Sequence, residues 1–209
     1  MSEHRVPSPP RTGPPLALGI LAVLYVGFTA VEFFQPSEPF YALTSLAIAV
    51  VAVVVLRMGG YSATRLRIGV APLSLRGGLL LLAATLLMLP ILGSSTGFVG
   101  WRWLPALVYA PASGIAQELF FRAALLPALE RATGGRGLLA LAAHATLFVM
   151  WHLRTFTLLP SLAIGLVVTT VLFSAGMAWG GQVQRDGTVV WSIAQHSAFL
   201  VVMSMFDWA

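Results

Sequence analysis

Apolar residues run down this chain in long blocks separated by short polar joints, with no internal repeat. Seven blocks are long enough to cross a bilayer, a crossing that takes about 17 to 25 residues as a helix. They fall roughly at Pro15–Phe34, Phe40–Leu56, Gly77–Gly93, Leu104–Leu129, Gly137–Leu153, Leu158–Trp179 and Thr188–Met205. Most joints are brief, and "MGGYSATRLRIGVAPLSLR" (Met58–Arg76) is the one long connection. The pattern predicts an all-α integral membrane protein, a bundle of about seven transmembrane helices. Ahead of the first block, "MSEHRVPSPPRTGPP" is polar and proline-rich, so residues 1–14 are expected to form a disordered cytoplasmic tail. The first block is longer than a signal-peptide core and no A-x-A-like site follows it, which predicts a retained span.

Composition agrees with the pattern. Only 9% of the 209 residues are charged and 58% are hydrophobic, whereas a soluble domain carries about 25% charged residues. Disulfide and thiolate chemistry are excluded by the lack of cysteine. The net charge is +5 and all twelve basic residues are arginine, but they are scattered between apolar blocks. A nucleic-acid interface would gather them into a patch or stripe.

Arginine placement sets an orientation. With the N-terminus in the cytoplasm, that side receives Arg5, Arg11, Arg57, Arg65, Arg67, Arg76, Arg131, Arg136 and Arg185, and the other receives only Arg102 and Arg154. A multi-pass protein of the cytoplasmic membrane with its N-terminus inside is expected. Trp101 and Trp103 flank Arg102 and read as interfacial anchors.

Few ionisable groups remain at depth once the joints are set aside: Glu118, Arg122, His144, His152 and His196. Charge inside a membrane is expensive and marks a functional site by default. Glu118 and Arg122 are four apart with the acid first, the favourable order for a pair on one helix face. Counting from the cytoplasmic joints at about 1.5 Å per residue puts Glu118 about 20 Å, His152 about 22 Å and His196 about 14 Å into the bilayer. Three separate spans thus bring a carboxylate and two imidazoles to similar depth. His144 lies on the face of His152 and reads as a core residue supporting the site. Gly176 and Gly180 form a small-xxx-small pair that predicts close helix packing.

Such a set suits hydrolysis, with one group taking a proton from water and an imidazole donating to an oxyanion or leaving amine. It could also hold zinc, but the zincin signature of two histidines flanking a glutamate on one helix is missing. No cofactor or metal is therefore expected. Proton relay in a transporter is a third reading, against which the spans show neither a repeat nor a broken-helix pair.

These residues carry a resemblance. "QELFFR" (Gln117–Arg122), "FVMWH" (Phe148–His152) and "HSAFL" (His196–Leu200) resemble, in order, the EExxxR, FxxxH and HxxxN motifs of the CAAX-protease and bacteriocin-processing (CPBP, or Abi) family. The similar stretch runs roughly from Tyr109 to Phe206. Each motif alone is weak, and three in series on successive apolar spans are strong. The resemblance implies a glutamate-dependent intramembrane endopeptidase, with water activated at the positions of Gln117 and His152 and the oxyanion bound at those of His196 and Leu200. Gln117 and Leu200 depart from the motifs, since an amide is no general base and leucine donates no hydrogen bond. The expected site is therefore Glu118, His152 and His196, supported by Arg122, Gln117, Phe148 and Leu200, with Glu118 orienting His152 as the base.

The expected division is an N-terminal three-helix membrane region over residues 15–103 and a catalytic membrane core over 104–209. Depth and orientation together place Glu118 and His152 in the outer half of the bilayer. The expected substrate is accordingly a membrane-anchored protein or peptide, cut in or near its anchor. A site there resembles the myxosortase branch of the family, which trims C-terminal sorting tails. The alternatives are a catalytically inactive relative serving as a membrane scaffold or immunity protein, and a proton-coupled transporter.

Overall fold

The computed structural model describes residues 15–35, 37–71, 97–159 and 161–206 and, between 72 and 96, residues 74, 75, 78, 79, 82, 83 and 86. The expected tail over residues 1–14 and most of the expected span Gly77–Gly93 lie outside the described residues. The helices are α1 (Pro15–Phe34), α2 (Glu38–Met58), α3 (105–132), α4 (Gly137–Trp151), α5 (Leu153–Thr157), α6 (Leu162–Asp186) and α7 (Val190–Met203). Among the described residues there is no strand, only an isolated bridge between Phe98 and Phe206. The protein is an all-α membrane protein, as the block pattern predicts. α1, α2 and α6 are long and apolar enough to cross a membrane, while α4 and α7 are apolar but shorter.

α6 corrects one boundary. It starts at Leu162 and continues to Asp186, well past the Trp179 at which the apolar block ends. Ser161 Oγ accepts from Ile164 N–H at 3.3 Å and caps its start. Gly187, at φ 66°, closes its end in the left-handed conformation that glycine adopts without penalty. The polar last turns stay helical because Gln182 and Val183 are buried in the bundle.

α3 is the central helix. Its residues Phe120 to Ala128 are all buried, as expected of a helix that is apolar on every side. Two turns of α3 are wide, Pro105–Tyr109 and Leu119–Leu125, with Ala110 N–H bonding Pro105 O and Leu126 N–H bonding Phe121 O. Each precedes an internal proline, Pro111 or Pro127. Proline offers no N–H and its ring presses on the carbonyl one turn back, and a widened turn relieves that clash.

Aromatic rings join α1, α3 and α4. Phe28 stacks on Phe120 at 4.6 Å and on Trp151 at 5.3 Å, pairs that contribute about 0.5–1.5 kcal/mol each beyond the area they bury. Trp151 Nε1 donates to Phe28 O at 3.1 Å, and Tyr25 Oη donates to Leu147 O at 2.9 Å. Small residues bring other helices close. A Cβ on Gly176 would stand 3.0 Å from Ala145 Cα, and one on Gly180 would stand 2.5 Å from Leu141 Cδ1. That contact between α4 and α6 is the close packing the glycine spacing predicts. A Cβ on Gly114 would stand 2.9 Å from the Ser197 backbone, where α3 meets α7.

The connection after α2 folds over one end of the bundle, with Tyr61 and Leu66 buried. Its anchor is Arg67, held at φ 55°. Arg67 Nη2 bonds both Glu130 oxygens, at 2.7 and 2.9 Å, and Gln184 Nε2 adds a third bond to Glu130 at 2.8 Å. Arg67 O accepts from Val189 N–H at 2.9 Å, and Thr188 Oγ1 donates to Gly69 O at 2.7 Å.

Candidate active site

Glu118 sits midway along α3, fully buried together with Arg122. Its Oε1 is 3.0 Å from Arg122 Nη1 and 2.7 Å from His196 Nδ1 of α7. The carboxylate is thus shared by a guanidinium from its own helix and an imidazole from another. The Arg122 guanidinium also lies over the Phe148 ring, 4.5 Å from its centroid, and 5.6 Å from the Trp179 ring. Aromatic faces stabilise a desolvated cation by up to about 2 kcal/mol. His196 is buried and its ring stacks on Trp179 at 4.7 Å, which fixes its plane.

His152 is placed differently. α4 ends at Trp151, and His152 occupies the turn before α5. Its Nδ1 is 2.8 Å from Phe148 O. A carbonyl only accepts, so Nδ1 carries the proton and Nε2 of the neutral ring holds a lone pair. The ring packs edge-on against Phe148 at 4.8 Å and Trp151 at 4.7 Å. Phe148 thus touches both His152 and Arg122. The sequence reading has Glu118 orient His152. In the structure the imidazole on Glu118 is that of His196, because the close approach at Gly114 brings α7 against α3 one turn from Glu118.

Gln117 is buried and its Nε2 donates to Ser113 Oγ at 3.1 Å. Leu200 lies one turn beyond His196 on α7 and is half-buried. His144 is fully buried against Phe121 and Gly180, with neither ring nitrogen hydrogen-bonded. Among the described residues, no group of three or more His, Asp or Glu is arranged to hold a metal ion.

One buried carboxylate escapes the sequence reading. Glu32 lies within α1 and is 7% exposed, with its Oε2 2.6 Å from Tyr41 Oη. It stands near the end of an apolar block, where a charge is ordinarily assigned to the interface. Only its partner on α2 marks it as buried.

The segment that carries Glu118, His152 and His196 also carries a family signature. Residues 99–202 match the model of the type II CAAX prenyl endopeptidase Rce1-like family. The chain belongs to the CAAX-protease family. No curated protein and no solved structure matches it. CAAX-type proteases are intramembrane endopeptidases acting on membrane-associated protein substrates, and the matched segment takes in α3 to α7 and leaves α1 and α2 outside. The departures at Gln117 and Leu200 fall within this CAAX-protease segment.

Proposed function

We propose that this CAAX-type protease hydrolyses a peptide bond in or near the membrane anchor of a protein or peptide, with His152 as base, His196 as oxyanion donor and Glu118 holding His196 in place. The observation that carries the reading is the fully buried Glu118 carboxylate, ion-paired with Arg122 and hydrogen-bonded to His196 through the same oxygen. A carboxylate in hydrocarbon is expensive unless paired, and here it is committed to a titratable group on a second helix.

In this reaction His152 Nε2 takes a proton from water, and the hydroxide adds to the scissile carbonyl. With both ring nitrogens protonated, His196 keeps Nδ1–H on Glu118 and offers Nε2–H to the oxyanion, a contribution of about 10²–10³ in rate for comparable donors. The proton held by His152 then passes to the leaving amine. The products are a new carboxylate and a new amine, and no redox partner is needed. Arg122 balances the Glu118 charge throughout.

Arginine bias supports an N-terminus in the cytoplasm and a site in the outer half of the cytoplasmic membrane. That position suits trimming of C-terminal anchors from exported proteins, as in the myxosortase branch. The test is quantitative proteomics on a strain lacking the protein. Exported proteins that retain their C-terminal anchors are expected, with wild type restoring cleavage. If His152→Ala and His196→Ala both restore it fully, the endopeptidase reading fails. The substitutions at Gln117 and Leu200 favour a scaffold as the second reading.

A further inference from the structure

α6 carries none of the three family motifs, yet one of its side chains reaches the site. Gly176 and Gly180 seat α6 directly on α4, where their Cβ atoms would stand 3.0 Å from Ala145 Cα and 2.5 Å from Leu141 Cδ1. Successive helical residues turn by about 100°, so Trp179 leaves α6 to one side of that contact and crosses to α3 and α7. There its buried ring meets both partners of Glu118. It stacks on the His196 imidazole with centroids 4.7 Å apart and planes inclined by 24°. The Arg122 guanidinium lies 5.6 Å from its centroid.

Glu118 alone does not hold the whole His196 ring. One hydrogen bond keeps Nδ1 at 2.7 Å from Glu118 Oε1, and a ring tied at one atom can still tilt about that bond. Nε2, the atom that donates to the oxyanion, would swing with the tilt. A flat ring lying against the imidazole face removes that freedom. Phe199, the aromatic neighbour on α7 itself, is inclined at 52° with its centroid 6.3 Å away, and does not stack. During the reaction His196 is doubly protonated, and the electron-rich face of an indole attracts a cation.

The geometry points to Trp179 as a positioning residue that acts through His196, holding the imidazole against tilt and stabilising the charge it carries as the oxyanion forms. This deepens the endopeptidase reading and rests on it. Both effects act on the transition state, so they belong to kcat rather than to KM. In a chain whose Leu200 donates no hydrogen bond, the oxyanion depends the more on how firmly His196 is held.

The test begins with magnetic resonance of histidine-labelled protein in lipid bilayers. The chain has four histidines, and His196→Ala assigns the His196 ring signals by their loss. Protons held over an indole face resonate upfield of their ordinary positions. In Trp179→Leu the His196 signals are expected to move downfield and broaden. In Trp179→Phe, which keeps an aromatic face, they should move only part of the way. The His152 signals, from a ring packed on Phe148 and Trp151, should stay in place and report that the bundle is intact. Unmoved His196 signals in Trp179→Leu overturn the proposal.

Turnover of a substrate that accumulates in the deletion strain gives the second readout. Trp179→Leu is expected to lower kcat about tenfold with KM unchanged, a fraction of what a whole oxyanion donor supplies. Trp179→Phe should recover most of that loss. Fluorinated tryptophans placed at position 179 by nonsense suppression keep the ring's shape while drawing electrons from its face, and they decide the matter if Trp179→Leu disturbs the bundle. Two fluorines should lower kcat about threefold with the melting temperature unchanged, whereas a ring that merely fills space is indifferent to fluorine. A flat fluorine series, or a loss that falls on KM instead of kcat, overturns the proposal. If the wild type itself shows no turnover, the endopeptidase reading fails, while the His196 signals still decide whether Trp179 holds the ring.

Discussion

His196 Nδ1 and Glu118 Oε1 stand 2.7 Å apart although 78 positions separate the two residues in the chain. That contact depends on Gly114, one turn before Glu118, where α7 comes too close for any side chain.

Gly114→Ala is therefore expected to act on the site without touching it. The added methyl meets the Ser197 backbone, which must move as part of α7. Overpacking of this kind destabilises by about 1–3 kcal/mol. The check is a thermal melt in detergent followed by tryptophan fluorescence, with cleavage measured alongside. A variant with wild-type melting and wild-type activity would refute the close approach.

Arg122→Ala should be worse. It leaves the Glu118 carboxylate buried with only His196, and breaking a buried pair destabilises by about 3–5 kcal/mol. Yield in the membrane and melting temperature should both fall. Arg122→Lys keeps the charge but loses the planar stacking on Phe148, and should lie between the two.

His152→Ala separates chemistry from folding. His152 sits at a helix end rather than in the core, so its removal should leave the melt within a few degrees of wild type. Loss of a general base lowers the rate by about 10²–10⁴. Cleavage at a wild-type rate would remove His152 from the mechanism.

Arg136 and Leu158 lie at opposite ends of the bundle, and both are exposed. In this cysteine-free chain, Arg136→Cys should resist a membrane-impermeant maleimide in intact cells, while Leu158→Cys should react. The reverse pattern would invert the arginine-based orientation and move the site to the inner leaflet.

What the sequence could reveal follows from how far each interaction reaches along the chain. The Glu118–Arg122 pair was legible because four residues make one helical turn. The glycine pair at 176 and 180 was legible for the same reason. The partnership of Glu118 with His196 was not, since it depends on how α3 and α7 approach at Gly114, and equal depth alone favoured His152. Glu32 was missed because its partner Tyr41 lies on the next helix. The two wide turns of α3 could have been suspected from Pro111 and Pro127, but the sequence does not say how a helix absorbs a proline.

The Arg67 anchor bears on the order in which the protein can be made. Arg67 adopts a left-handed backbone that a non-glycine residue holds at a penalty of roughly 1–2 kcal/mol, so its partners must be present to keep it there. Glu130 is translated long afterwards, and Thr188, which holds Gly69, comes 119 residues later than its acceptor. The α1–α2 hairpin can enter the bilayer early, but the connection after α2 stays unlatched until the ribosome has delivered the start of α7. A truncated or stalled chain would thus expose the polar backbone of residues 59–71, giving quality-control proteases a mark by which to distinguish unfinished copies from complete ones.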